Sequence, residues 1–260
     1  MAIVISVSNH KGGVGKTTSV ANIGAGLTQF GKKVLVLDLD PQANLTQSLG
    51  IDDELQHTIY GSLKGEYPLT PIHLTDLLDI IPSTLDLSAA ELELSSEAGR
   101  EFILSELLQP IKPNYDFIII DCPPSLGLLT VNALTASDQV FIPLQAHYLP
   151  LRGLTKITEV IDKVQKRINK KLKIGGVFVT HFDQRKILNR EIADSIHENF
   201  SDRVFDTKIR NNIALAEAPT AGLDIFRYNP KCNGAEDYYN LCKEILLTLE
   251  QSDALNSTAS

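Results

Sequence analysis

Short apolar runs alternate along the chain with longer stretches of mixed polarity. Residues 3–8, 33–39, 78–81, 117–120, 140–144, 176–180 and 204–209 each read as a strand. Several of them, such as Val34-Leu35-Val36-Leu37, are apolar at successive positions. That pattern suits strands buried on both faces of a parallel sheet. Helical spacing falls between the runs, near residues 16–30, 98–108, 128–135, 154–172, 186–199 and 235–249. The order predicts an α/β fold, a doubly wound, mostly parallel sheet with helices on both faces, as one domain over residues 1–250. Residues 52–75 carry no clear period beyond a loosely amphipathic insertion around 60–71. The polar stretch 251–260, rich in Ser, Asn and Ala, is expected to be a flexible tail.

Composition narrows the class. Of 260 residues 43% are hydrophobic and 22% charged, a globular balance that excludes a disordered or collagen-like chain. The three cysteines Cys122, Cys232 and Cys242 are too few and too scattered for a disulfide framework or a zinc pattern, which points to a reducing compartment. No window approaches the roughly 18 apolar residues of a membrane span. The opening Met1-Ala2-Ile3-Val4 lacks the basic lead of a signal peptide. A cytoplasmic protein is expected.

The strongest chemical signal is Lys11-Gly12-Gly13-Val14-Gly15-Lys16-Thr17-Thr18, between the first strand and the first helix. It ends as a phosphate-binding loop should, although the first glycine of the usual pattern would fall at His10. Three glycines free the backbone to wrap phosphates at a helix N-terminus. Lys16 would reach the β- and γ-phosphates, and the Thr17 hydroxyl would ligate Mg²⁺. Lys11 adds a cation. Asp38 and Asp40 close the second apolar run, and Asp121 closes 117–120. Ligands of parallel sheets bind at the carboxyl ends of strands, so these acids belong on the edge that carries the loop. Asp121 could hold Mg²⁺ through water and Asp40 could orient an attacking water, giving Thr17, Asp40 and Asp121 as metal candidates. For any one aspartate alone, a helix cap or turn former is the plain alternative.

At this point the chain resembles the ParA-type ATPases, within the deviant Walker-A class that includes MinD and nitrogenase iron protein. Further landmarks are Asp38-Leu-Asp-Pro-Gln-Ala-Asn44, Asp121-Cys-Pro-Pro-Ser125, Pro143-Leu-Gln145, Thr180-His-Phe-Asp-Gln-Arg185, Ala216-Glu-Ala-Pro219 and Tyr228-Asn-Pro230. The resemblance implies a nucleotide-sandwich homodimer that forms with ATP and Mg²⁺ and hydrolyses ATP slowly. Lys11 would reach the partner's phosphates, offsetting charge on the transferring phosphoryl group. Lys11, Lys16 and Asp40 are then the catalytic set, and loss of Asp40 would trap the ATP-bound dimer. By the same analogy the adenine would lie near 180–183 and Ile209-Arg210, with Phe182 beside it. A ParB-like activator and nonspecific duplex DNA are the implied partners, with the protein on the nucleoid. A positioning ATPase for another cargo is the alternative. A MinD-like membrane cycle is disfavoured because 246–260 holds no Lys or Arg for a basic anchor. The start at the first strand favours short Soj-like forms.

The net charge of −8 argues against nucleic acid until it is divided. Residues 1–150 hold 7 Lys/Arg against 17 Asp/Glu, whereas 151–210 hold 14 against 8. Lys163, Lys166, Arg167, Lys170 and Lys171 recur at helical spacing opposite an Ile157-Val160-Ile161-Val164-Ile168 stripe. A solvated helix face is the plain alternative. Arg185, Lys186, Arg190 and Arg210 extend the candidate DNA set. The chain departs from the family pattern at Ala214, where relatives often carry Arg, and at His147, Pro150 and Arg152. Pro150 is expected to delay the helix there, and His147 reads as a loop histidine.

Overall fold

The apolar runs become neighbours in space. A computed structural model describes residues 2–51, 55–146, 150–200 and 203–258. Strands β1 (Ile3–Val7), β2 (Val34–Asp38), β3 (Ile72–Thr75), β4 (Leu78–Ile81), β5 (Phe117–Asp121), β6 (Gln139–Gln145) and β7 (Lys173–Thr180) form one sheet. Its order is β3-β4-β2-β5-β1-β6-β7. All pairings are parallel except β3 with β4.

Alternate side chains of each central strand enter opposite cores, which explains the unbroken apolar runs. Val34, Val36, Ile5 and Ile119 pack on one face with α1 (Lys16–Thr28) and α11 (Asn233–Thr258). Leu35, Leu37, Ile118 and Ile120 pack on the other with α3 (Ile59–Leu63), α5 (Ile103–Leu108) and α6 (Leu128–Ala136). A third cluster joins β6 and β7 to α7 (Pro150–Arg167) and α8 (Ile187–Phe200). Shorter helices are α2 (Asn44–Ser48), α4 (Ala90–Glu93), α9 (Ala214–Glu217) and α10 (Ile225–Tyr228). Helix α1 lies in a close sandwich. A Cβ at Gly24 would come within 2.6 Å of Val36 Cγ1, and one at Gly26 within 2.6 Å of Cys242 Sγ.

Four expectations change. The run 204–209 is not a strand, because it meets the sheet only through a Val177–Val204 bridge and the amides of Phe205 and Ile209. The edge strand β3 went unread in the sequence. It exposes every second residue and gives no continuous run, and His73 Nδ1 sits 2.5 Å from Asp79 Oδ1 of β4. Helix α7 begins at Pro150 itself, since proline suits a first turn whose N–H needs no partner. It ends at Arg167, where the Asn169 side chain donates to the Leu134, Thr135 and Ser137 carbonyls. The final helix continues to Thr258, past the end expected near residue 249.

Candidate active site

The loop after β1 is fastened to the ends of β6 and β7. Asn9 Nδ2 donates to the Pro143 carbonyl (2.8 Å), while its Oδ1 accepts from the Lys11 amide (3.1 Å). Gln145 Nε2 donates to the Gly13 carbonyl (2.6 Å) and Thr180 Oγ1 to the Val14 carbonyl (2.9 Å). Gly13 and Gly15 have φ of +70° and +86°, a conformation that glycine adopts without steric cost. Helix α1 starts directly after Gly15 with no side-chain cap, so its first-turn amides remain as donors for an anion.

Three aspartates converge on this loop. Asp38 and Asp121 are register neighbours on β2 and β5, and Val7 of β1 pairs with Asp121. Thr17 Oγ1 donates to Asp121 Oδ2 at 2.6 Å. Asp121 Oδ1 is buried and has no hydrogen-bond partner among the described residues. Burial, and next the Asp38 charge, push the Asp121 carboxyl up from its ordinary value, and burial pushes Asp38 up as well. A nearby cation would reverse that cost. The orphaned oxygen, the hydroxyl beside it and the all-oxygen donor set fit a hard divalent cation such as Mg²⁺.

Asp38 has a role the sequence did not reveal. It accepts from the Thr46 amide and hydroxyl (2.9 and 2.7 Å) and from the Asp40 amide (3.1 Å). Ser83 completes the frame, its hydroxyl donating to the Asp40 carbonyl (3.0 Å) and its amide to Thr46 Oγ1 (2.9 Å). Asp40 Oδ1 accepts from the Gln42 amide at 3.0 Å. Asp40 is thus fixed by its near neighbours Asp38 and Gln42 and, from a distance in sequence, by Ser83. The Asp-Leu-Asp spacing was the available signal, but its partners at 46 and 83 were not.

Gly12, Gly13, Gly15, Lys16, Thr17, Thr18 and Asp40 line one cleft of about 630 Å³, with Gln42 and Asn44 beside α2 and Pro219 opposite. The size suits a nucleotide-scale ligand. Lys16 is buried and its Nζ donates to the Lys11 carbonyl at 3.4 Å. A second hollow of about 170 Å³ shares Gly15, Thr18 and His181 with the first, and is walled by Thr180, Ile209, Arg210, Asn211 and Asn212. His181 holds φ of +51° where the two hollows meet, a conformation uncommon outside glycine.

Not every expected residue faces these hollows. Val14 is buried and Lys11 is exposed, and neither lines them. Phe182 lines neither hollow; it packs against the third core cluster and bridges Arg210 through its backbone, with Lys208 Nζ 5.7 Å from its ring centre. Arg210 lines the smaller hollow, but its guanidinium is held by Asp237 (2.6 and 2.9 Å) and Glu236 (2.6 Å). Those carboxylates push its pKa up and pair its charge within the fold.

The remaining basic residues are exposed. Lys163 and Arg167 are exposed on α7, whose Ile157, Ile161 and Val164 are buried. Lys170 and Lys171 lie past the end of α7, in the turn before β7, and do not continue its face. Lys186 and Arg190 flank the start of α8. Arg185 is 86% exposed and paired with Asp183 at 3.0 Å. His147 lies outside the described residues, and Arg152 belongs to α7 by its backbone. Among the described residues no helix is long and apolar enough to cross a membrane.

A protein-family model described as an AAA domain matches residues 2–174. The sporulation initiation inhibitor protein Soj of Bacillus subtilis is 44% identical over 249 residues, covering 94% of this chain and 98% of that protein. The chromosome-partitioning ATPase Soj of Treponema pallidum is 46% identical over 244 residues, covering 92% and 94%. Among solved structures, cobyrinic acid a,c-diamide synthase from Mycobacterium smegmatis with bound ADP and magnesium superposes with a TM-score of 0.86. It is 35% identical and covers 97% of each chain.

Proposed function

The chain belongs to the ParA/Soj family of partition ATPases, and from that premise we propose that it hydrolyses ATP with Mg²⁺ to drive DNA segregation as an ATP-dependent homodimer. The observation that carries the reading is the placement of Lys16, Thr17 and Asp40 on one cleft at an uncapped helix N-terminus, with Asp121 buried behind it and bonded to Thr17. The structure with bound ADP and magnesium supports the choice of ligands. Its named synthase chemistry is not carried over, because the partition ATPases match at higher identity over nearly the same length.

In this reading the α1 amides and Lys16 hold the β- and γ-phosphates and stabilise the charge that spreads as the bond to the leaving ADP oxygen breaks. Thr17 and Asp121 would hold Mg²⁺, which would supply positive charge against the phosphates. Asp40, fixed by Asp38 and Ser83, orients the water whose oxygen bonds to the γ-phosphorus, yielding ADP and phosphate. Lys11, exposed and next in sequence to the glycines that line the cleft, serves the nucleotide of a second protomer. The ATP-bound dimer presents Lys163, Arg167, Lys186 and Arg190 to duplex DNA, and a ParB-like protein accelerates turnover.

The test is nonspecific duplex DNA binding with ATP, with ADP and without nucleotide. Wild type is expected to bind only with ATP, and more weakly as salt rises. Lys11→Ala and Lys16→Ala should abolish that binding, whereas Asp40→Ala should keep it and stop hydrolysis. Binding that ignores nucleotide, or none at low salt, would sink the DNA half of the proposal.

A further inference from the structure

Beyond the phosphate loop, the larger cleft has two further walls, and each ends near a left-handed glycine. Gln47 and Ser48 of α2 line one side, and Ala218, Pro219, Thr220 and Leu223 the other. Helix α2 closes with the Gly50 amide donating to the Gln47 carbonyl (3.0 Å) and the Ile51 amide to that of Thr46 (3.2 Å). The 3₁₀ turn Ala218–Ala221 closes in the same way, Gly222 donating to Pro219 and Leu223 to Ala218, both at 3.1 Å. Such an ending places a residue of positive φ just past the last turn. Here these are Gly50 at φ +79° and Gly222 at φ +66°.

The two glycines meet each other. A Cβ on Gly222 would lie 2.7 Å from Gly50 Cα, and one on Gly50 would lie 3.0 Å from the Gly222 carbonyl oxygen. Each is therefore required twice, by its own backbone conformation and by the nearness of the other chain segment. Gly31 separates the two requirements. It ends α1 with the same pair of bonds (Gly31 to Thr28, Lys32 to Leu27) at φ +72°, yet a Cβ there would meet nothing within 4 Å.

The walls are anchored to different parts of the fold. Thr46 ties α2 to Asp38 and Ser83, while the Ile225 amide ties the other wall to Asn22 Oδ1 of α1 at 2.8 Å. Among the described residues no hydrogen bond joins 42–51 to 214–224. The crossing is close but unbonded, so parting it costs van der Waals contact and leaves no polar group stranded. We infer that the Gly50–Gly222 crossing is the gate of this cleft: closed, it retains the bound molecule, and its opening sets how fast that molecule leaves. That the molecule is a nucleotide rests on the ATPase reading above.

The probe is the fluorescent analogue N-methylanthraniloyl-ADP with Mg²⁺, its release from the full chain followed by stopped flow after a chase of unlabelled ADP. Gly222→Ala drives a methyl group into the Gly50 backbone and should speed release about tenfold. Gly50→Ala meets only the carbonyl oxygen and should speed it less. Gly31→Ala carries the same backbone strain with no neighbour to displace and should leave release unchanged. All three should melt lower than wild type, and if Gly222→Ala does not fold, Gly50→Ala against Gly31→Ala carries the comparison. Release as slow in the crossing variants as in wild type overturns the gate. Equal acceleration in Gly31→Ala also overturns it, by showing a general loosening. A wild type that binds and releases the analogue but hydrolyses no ATP fails the ATPase reading and leaves the gate standing; one that binds no analogue overturns both.

Discussion

Thr17 and Asp121, 104 residues apart in sequence, are joined by a 2.6 Å hydrogen bond that uses one carboxylate oxygen and leaves the other buried and unpartnered. The carboxylate is costly to the empty fold and useful only with a cation. Asp121→Asn is therefore expected to melt no lower than wild type without ligand. Its Mg²⁺-dependent ATP affinity should fall about 10–100-fold, the range seen when residues that orient a metal's ligands are lost. Thermal melts with and without Mg-ATP check both halves, and a lower melting point in the ligand-free variant would contradict the first.

Thr46 sits between Asp38 and Ser83, donating to one and accepting from the other. Thr46→Val removes both hydrogen bonds from buried groups and should cost about 1–3 kcal/mol in chemical denaturation. Because Thr46 helps hold the frame around Asp40 rather than a phosphate, kcat should drop with little change in KM for ATP. A rise in KM alone would place Thr46 in binding instead.

Arg210 clips the wall of the smaller hollow to α11 through Asp237, whose side chain is 7% exposed. Arg210→Ala leaves that carboxylate only the residue-210 amide at 2.8 Å, and with allowance for the partly exposed arginine the loss should be about 1–2 kcal/mol. ATP affinity should weaken several-fold, while affinity for inorganic triphosphate, which has no base, stays the same. Calorimetric titration of the two ligands separates these outcomes; equal losses would show a general defect.

Asp183 accepts from the Arg185 side chain and amide, which hold its carboxyl down at about 2. A carboxyl lowered on folding adds stability that is complete above its ordinary pKa near 4 and fades as the pH falls toward 2. Arg185→Ala should move the Asp183 midpoint upward, read by carboxyl carbon chemical shift in an NMR titration. An unmoved midpoint would mean that Arg185 is free for other anions at all times.

The central strands were legible because Val34 to Leu37 and Ile118 to Ile120 are apolar on both faces, a pattern that needs no knowledge of partners. The phosphate loop was legible for a similar reason, as its glycines and Lys16 lie within eight consecutive residues. What escaped depends on distant pairings. The run 204–209 has strand composition but meets β7 at too few points. The end of α7 is set by Asn169 reaching carbonyls of 134–137. Arg210 looks like a free cation until Asp237 folds against it, and Asp38 looks like a strand end until Thr46 arrives.

The packing of α11 on α1 gives the site a history as well as a shape. Tyr238 shares a 3.0 Å hydrogen bond with Ser19, one residue past the phosphate loop, and Cys242 fills the space left open by Gly26. These contacts join residues more than 200 positions apart in the chain. At about 5–20 residues per second, the phosphate loop leaves the ribosome roughly 10–45 s before the helix that backs it. A growing chain therefore carries the phosphate loop before the α11 wall of the smaller hollow, and the two hollows take shape together only once α11 has been made.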